Sequence, residues 1–84
     1  MVTVKLFGTL RLDCGIREFH AEADSVRALY PLLLREIREK NPGCPVTERD
    51  LKASLVAVNG RQASPRARLW DGDTVYFFPP AAGG

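Results

Sequence analysis

The chain has 84 residues, 45% of them hydrophobic and 26% charged, which is the size and composition of one small globular domain. Its net charge of +2 is too weak to indicate nucleic-acid binding. Two widely separated cysteines, Cys14 and Cys44, and a lone histidine, His20, exclude a disulfide framework and the usual zinc sites. Because there is no signal-peptide pattern and no apolar run of membrane-spanning length, we expect a soluble, cytoplasmic protein without a membrane partner.

The N-terminal segment has the alternation of a β-strand. Residues 2–7 are rich in β-branched side chains, and the even-numbered side chains share the face that we assign to the core. Residues 8–15 contain a turn at 13–15, and a weaker strand follows at about 17–21, with Phe19 directed toward the core. The pattern therefore predicts that the first two strands form a hairpin.

The main helix is predicted to begin at Val26, after an N-cap at Asp24 or Ser25. The sequence Asn-Pro-Gly at 41–43 ends it. Pro31 removes one helical hydrogen bond, so we expect a kink or a loosened first turn there. The side chains spaced to form one buried stripe are Val26, Leu29, Leu33 and Ile37.

The middle of the chain predicts a connection followed by a strand and a tight turn. Residues 41–53 are polar and can contain one helical turn capped by Thr47. Residues 54–58 are predicted to be the third strand. The Asn-Gly pair at 59–60 is typical of a two-residue hairpin turn.

The last third predicts a loop and a final strand. Residues 61–70 are loop-like with room for an edge strand, and the turn at 71–73 starts the last strand at Thr74. The order of elements predicts an α+β domain in which one helix packs across a mixed sheet. Three arginines in the loop have no acidic residue among them, which fits either a solvated loop or a docking loop; these are Arg61, Arg66 and Arg68.

The C-terminus combines a strand, two prolines and four very small residues. Pro79 and Pro80 cannot donate to a sheet ladder and favour an extended exit. We therefore expect a domain at 1–78 and an extended, flexible tail at 79–84. The Ala-Ala-Gly-Gly ending has little side-chain volume, which suits insertion into a partner's narrow channel, and its distinctive group is the Gly84 carboxylate. A frayed end without function is the alternative.

Four motifs together resemble the ubiquitin-like sulfur carriers, most closely the small subunit of molybdopterin synthase. The resemblance extends over nearly the whole chain and implies the β-grasp fold, with the first and last strands paired in parallel at the centre of the sheet. The motifs are VKLFG at 4–8, VAVNG at 56–60, L-x-DGD-x-V at 69–75 and FFPP-x-x-GG at 77–84.

The resemblance also implies a chemical role for the tail. A ubiquitin-activating-enzyme-like adenylyltransferase would use ATP to adenylate Gly84, and a cysteine desulfurase or rhodanese-type protein would supply sulfur for a thiocarboxylate. The tail would then enter the large synthase subunit, where its sulfur would be used to convert a cyclic pterin precursor. Ala81 and Ala82 would form its thin segment, and Gly83 would give clearance. Two small and two large subunits would form a heterotetramer. The chain would bind no stable cofactor or metal and would not be an enzyme on its own.

Strand parity predicts a docking surface independently of the resemblance. If the even-numbered residues of the first strand and Val75 and Phe77 face the core, then Phe7, Tyr76 and Phe78 lie together on the open sheet face. Exposed aromatic side chains on a small domain typically mark a partner site. A covering loop, or a bulge that reverses the parity, would remove this surface.

Other functions remain open from the sequence. The carrier could serve thiazole synthesis or another thio-modification pathway, or the chain could be a ubiquitin-like modifier conjugated through Gly84. A plain β-grasp binding module that touches RNA or an acidic partner through the arginine loop is the third alternative. The FFPP-x-x-GG block and the low net charge disfavour it.

Overall fold

The computed structural model of the protein describes residues 1–79, so the predictions for residues 80–84 lie outside the described residues. Within residues 1–79 the chain forms five strands and three helices. In chain order these are β1 (Val2–Leu6), α1 (Gly8–Cys14), β2 (Glu18–Ala21), α2 (Val26–Lys40), α3 (Glu48–Ala53), β3 (Leu55–Val58), β4 (Arg61–Gln62) and β5 (Thr74–Phe78).

The strands form one mixed sheet in the order β2-β1-β5-β3-β4. The first and last strands, β1 and β5, are parallel neighbours at its centre, with Val4 opposite Val75 and Leu6 opposite Phe77. The outer pairings, β1 with β2 and β3 with β5 and β4, are antiparallel. This arrangement is the β-grasp fold, and it confirms the predicted α+β class and the parallel pairing of the terminal strands.

The core lies between the central strands and α2. The even-numbered side chains of β1 are almost fully buried, as are Val75 and Phe77 of β5. All four side chains of the predicted helix stripe are buried as well. Tyr30, which the stripe did not include, packs its ring edge-on against Phe77 with centroids 6.1 Å apart. The predicted strand parity is therefore confirmed.

The start of α2 is fixed by hydrogen bonds to its first backbone N–H groups. Ser25 Oγ accepts from the N–H of Ala28 at 3.3 Å, which confirms the predicted N-cap. The N–H groups of Val26 and Arg27 donate to carbonyl oxygens in the loop that follows β4. These bonds satisfy the first N–H groups of the helix. Pro31, which lacks an N–H, lies one turn further on and does not end the helix, which runs from Val26 to Lys40.

The prediction of a turn at 13–15 is wrong for residues 13 and 14, which belong to a helix, and correct for Gly15. The strands β1 and β2 are antiparallel neighbours as expected, but α1 forms most of the connection between them. Gly15 ends this helix in the left-handed conformation, with φ +72°. A helix is favoured because it buries Leu10 and Cys14, which a solvent-exposed turn would leave in water.

The structure of the second half of the chain agrees closely with the elements predicted from the sequence. The expected helical turn after the polar connection is α3, and Thr47 caps it through a reciprocal pair of hydrogen bonds with Asp50. Asn59 and Gly60 both have positive φ, +52° and +87°, as a tight hairpin between β3 and the edge strand β4 requires. Nowhere in residues 1–79 is a helix both long enough and apolar enough to cross a membrane.

Candidate functional site

Three aromatic rings meet on the open face of the sheet and form what we call the aromatic patch: Phe7, Tyr76 and Phe78. The centroid of the Phe7 ring lies 5.0 Å from that of Phe78, with the two planes 15° apart. It lies 5.7 Å from the centroid of Tyr76, and the centroids of Tyr76 and Phe78 are 6.5 Å apart. Such offset stacking is a favourable aromatic geometry. The structure thus brings together the three residues that strand parity singled out.

The backbone explains why Phe7 belongs to this patch. Its N–H donates to the carbonyl oxygen of Phe77 at 3.0 Å, which continues the pairing of β1 with β5 one residue beyond Leu6. Alternation along β1 then directs Phe7 to the face opposite the buried Leu6. The chain turns away immediately afterwards at Gly8, which has φ +62°.

Leu55 extends the apolar surface and was not predicted. It lies directly opposite Phe78 in the antiparallel pair of β3 and β5. Its side chain is 49% exposed and that of Phe78 is 37% exposed, which is unusual for large apolar residues that adjoin one another. Its alternation with the buried Val56 could have indicated the exposed face, but only the register of β3 against β5 places it beside Phe78.

Charged residues border the patch on the side of β2. Lys5, which pairs with Tyr76 across the parallel strands, lies 3.9 Å from Glu18, measured from Nζ to Oε1. His20 lies beyond them, with Nε2 3.7 Å from Glu18 Oε2. The open face therefore changes from apolar at β3 and β5 to polar at β2, which limits the surface available for apolar docking.

The root of the tail lies beside the aromatic patch. Pro79 is half-buried, and its ring packs against Gly8: a Cβ added at Gly8 would lie 3.1 Å from Pro79 Cγ. Pro79 also lines a cleft of about 290 Å³ formed by residues of α1, the segment before α3, and α3 itself. The other predicted tail residues, Pro80, Ala81, Ala82, Gly83 and Gly84, lie outside the described residues.

The arginine loop is not part of this arrangement. Arg61 lies in β4, and Arg66 and Arg68 lie in the loop after it; all three are exposed. The guanidinium of Arg68 lies 5.5 Å from the ring centroid of the exposed Trp70. The loop is tied to the start of α2 and to the residues before β5, whereas the tail leaves at the other end of β5. The length of that strand, about 13 Å between its first and last Cα atoms, separates the two surfaces.

The two cysteines are neighbours in the fold although they are far apart in sequence. Both are buried and free. Burial, together with the adjacent Cys44 thiol, raises the pKa of Cys14 to about 12. A buried, protonated thiol is a poor nucleophile and a poor metal ligand, and residues 1–79 contain no group of three or more His, Cys, Asp and Glu side chains that could hold a metal ion.

Comparisons with known proteins agree with this geometry. A sequence model of the protein family described as the ThiS family matches residues 4–84. A putative molybdopterin converting factor, subunit 1, from Pyrococcus furiosus is 30% identical with a TM-score of 0.64, covering 95% of this chain and 97% of that one. A chain in the BexX/CysO complex of Amycolatopsis orientalis is 26% identical with a TM-score of 0.63, over 100% of both chains.

A third solved structure shows the same fold. It is a complex of subunits 1 and 2 of the molybdopterin-converting factor from Helicobacter pylori, with 24% identity and a TM-score of 0.61, covering 99% of this chain and 97% of that one. No curated protein sequence matches the chain. The fold and the family match agree with each other, and the exposed apolar surface is the candidate docking site.

Proposed function

The chain belongs to the ThiS family of ubiquitin-like sulfur carriers, and from that membership we propose that it is the small, sulfur-donating subunit of a molybdopterin synthase. The observation that carries this proposal is the 30% identity, over 95% of the chain, with the putative molybdopterin converting factor subunit 1 of Pyrococcus furiosus. The FFPP-x-x-GG block at 77–84, with its resemblance to the same branch of carriers, supports it.

The proposed chemistry takes place at Gly84. A carboxylate oxygen attacks the α-phosphorus of ATP on an adenylyltransferase and releases pyrophosphate, which leaves an acyl-adenylate. The outer sulfur of a persulfide on a cysteine desulfurase or rhodanese-type donor then displaces AMP and forms an acyl disulfide. A thiol of the donor or the adenylyltransferase cleaves this disulfide, which leaves the thiocarboxylate on Gly84 and a disulfide on the partner. The thiocarboxylate sulfur is a far better nucleophile than a carboxylate oxygen, and this is the property needed to build a dithiolene on a cyclic pterin precursor.

The partner proteins supply the catalytic groups in this proposal. The thiols of the described residues are buried, and a hydroxyl–imidazole pair, Thr3 Oγ1 with His20 Nδ1 at 3.2 Å, lies on the β2 side of the sheet and not beside Pro79, so we assign the nucleophile and base to the partners. The aromatic patch adjoins Pro79, so a partner that docks on the patch receives the tail at a fixed distance from it. The Helicobacter pylori structure, in which subunit 1 is in complex with subunit 2, supports a large-subunit partner for the proposed synthase.

A second candidate is a carrier that delivers sulfur to another acceptor. The likeness to a chain of the BexX/CysO complex, over the full length of both chains, favours this alternative. A carrier of that kind and a pterin-directed carrier share the thiocarboxylate and the patch. They differ in the large partner and the acceptor, and conjugation of Gly84 to lysines would indicate a protein modifier in place of either.

The first test is the intact mass of the chain after co-expression with an adenylyltransferase and a sulfur donor. We expect a mass increase equal to the difference between a sulfur and an oxygen atom, located at the C-terminal residue. The control is the chain without Gly84, which should show no such increase. An unchanged mass in the full-length chain, in the presence of active partners, would refute the carrier function.

Reconstitution with a large synthase subunit then separates the two candidates. The thiocarboxylated chain should convert a cyclic pterin precursor, with one carrier consumed for each sulfur transferred. A thiocarboxylate that forms normally but leaves the pterin unchanged would assign the chain to a different sulfur-transfer pathway.

A further inference from the structure

Gly8 is the residue at which the end of β1 meets the root of the tail. It has φ +62°, a left-handed conformation that residues with a side chain rarely adopt. It also faces the Pro79 ring, because an added Cβ would lie 3.1 Å from Cγ and 3.2 Å from Cδ. Both the backbone conformation and the space therefore require glycine here.

The other left-handed glycines of residues 1–79 do not combine these two constraints. A Cβ added at Gly15, which has φ +72°, would approach nothing closer than an amide nitrogen 3.9 Å away. At Gly60 and Gly72 it would have no neighbour within 4 Å. Among these four glycines the close contact with the tail is thus found at Gly8, so a substitution at one of the others can measure the effect of backbone strain without that contact.

The surroundings decide how a clash at Gly8 would be relieved. On the strand side, Phe7 is hydrogen-bonded to Phe77 at 3.0 Å and stacked on Phe78 with centroids 5.0 Å apart. These contacts hold β1 and β5 together. On the other side, Pro79 borders the cleft of about 290 Å³. An added side chain would therefore push Pro79 toward the cleft and leave the sheet in place.

We propose that Gly8 is a positioning residue that fixes the root of the tail relative to the aromatic patch. Five residues follow Pro79, and they span at most about 18 Å when fully extended. If a partner docks on the patch and binds Gly84 in its active site, so short a tail cannot compensate for a displaced root. Misplacement of a reacting group by about 1 Å can lower the rate a hundredfold. This inference rests on the proposed function.

The test compares Gly8→Ala with Gly15→Ala, which introduces similar strain at the far end of α1 without the tail contact. Adenylation is measured as ATP–pyrophosphate exchange, catalysed by the same organism's ubiquitin-activating-enzyme-like adenylyltransferase at varied concentrations of the chain. We expect Gly8→Ala to lower kcat at least about tenfold with KM changed less than about twofold. Gly15→Ala should change neither by more than about twofold, and Gly8→Asn, which tolerates positive φ better, should follow Gly8→Ala.

Pro79→Ala isolates the contact itself. If the Pro79 ring transmits the effect, adding Gly8→Ala to Pro79→Ala should lower kcat much less than it does in the wild-type background. A Gly8→Ala loss that is no greater than that of Gly15→Ala, or that is equally large without the Pro79 ring, would overturn the inference while leaving the carrier function intact.

A measurement on the isolated protein distinguishes the two failures. Nuclear Overhauser effects between the Gly8 Hα protons and the Pro79 ring are expected in the wild type and should weaken in Gly8→Ala, while those within the β1–β5 pair persist. If the wild-type chain is not adenylated, the proposed function fails. If the wild-type contact is absent, the positioning role fails whatever the enzyme does.

Discussion

At the scale of single residues, Asn59 shows how one side chain connects distant parts of the fold. Its Nδ2 donates to Asp73 Oδ1, and its Oδ1 accepts from the N–H of Thr74, each at 2.9 Å. Its own N–H donates to the carbonyl oxygen of Thr74 at 2.9 Å. The sequence predicts the tight turn because Asn-Gly favours it. The tie to the start of β5 could not be predicted, since it joins residues 14 and 15 positions apart.

We expect Asn59→Ala to lower the free energy of unfolding by about 2–3 kcal/mol, from two lost hydrogen bonds and an alanine at positive φ. The matched control is Asn59→Gly, which loses the same bonds but adopts positive φ freely, and should cost about 1–2 kcal/mol. Denaturant titration measures both. Equal losses would show that the backbone conformation at this position costs nothing.

At the scale of elements, predictability follows the length and strength of the hydrophobic pattern. The central strands and α2 carry long, regular patterns, and their faces were predicted correctly. The seven residues of α1 contain only two buried positions, Leu10 and Cys14, which is too few to define a period. Leu55 was missed for a different reason, because its place beside Phe78 depends on the pairing of two strands.

The aromatic patch gives a prediction that separates docking from folding. Phe7→Ala and Phe78→Ala should weaken binding to the large partner by about 1–3 kcal/mol each, since aromatic anchors dominate interfaces. Their stacking contributes about 0.5–1.5 kcal/mol per pair to folding. Val4→Ala and Val75→Ala should instead cost about 2–3 kcal/mol of folding stability, because both side chains are fully buried.

Thermal melts and binding isotherms of these four variants provide the measurement. If the ring variants destabilise the domain as severely as the valine variants, the rings contribute to folding as core residues do, although they are partly exposed. Stable ring variants with unchanged affinity would move the docking surface elsewhere, and the arginine loop would then be the next surface to test.

At the scale of the whole molecule, the two ends of the sheet are different. The tail and the aromatic patch lie where β5 ends, and the arginine loop, with Trp70, lies where β5 begins. The sequence predicted both surfaces but not their separation, which depends on the parallel pairing of β1 with β5 and on the ties of the loop to α2. One partner could therefore occupy the tail end while the arginine end stays accessible.

Deletion of Gly84 should leave the melting temperature unchanged and abolish sulfur transfer. The reason is that the described hydrophobic core is built from side chains between Val2 and Phe77, while the proposed reactive group is the terminal carboxylate. A companion variant, Gly83→Val, should keep the fold and strongly reduce turnover, because a branched side chain crowds the reactive end. Full transfer by the truncated chain would contradict the carrier function, and a lower melting temperature would show that the tail contributes to folding.

Because its thiols are buried, the proposed carrier would react with thiol-directed reagents at its sulfur-loaded C-terminus and not at its cysteines. An acyl-adenylate reacts with accessible thiolates, and a carrier with an exposed cysteine could lose its activated end as a thioester with itself or with a second copy. Cys14 and Cys44 are hidden in the core, and the raised pKa of Cys14 keeps it protonated. After sulfur loading, an alkylating reagent would therefore meet one reactive sulfur on the folded protein, the thiocarboxylate, and could label the loaded population alone.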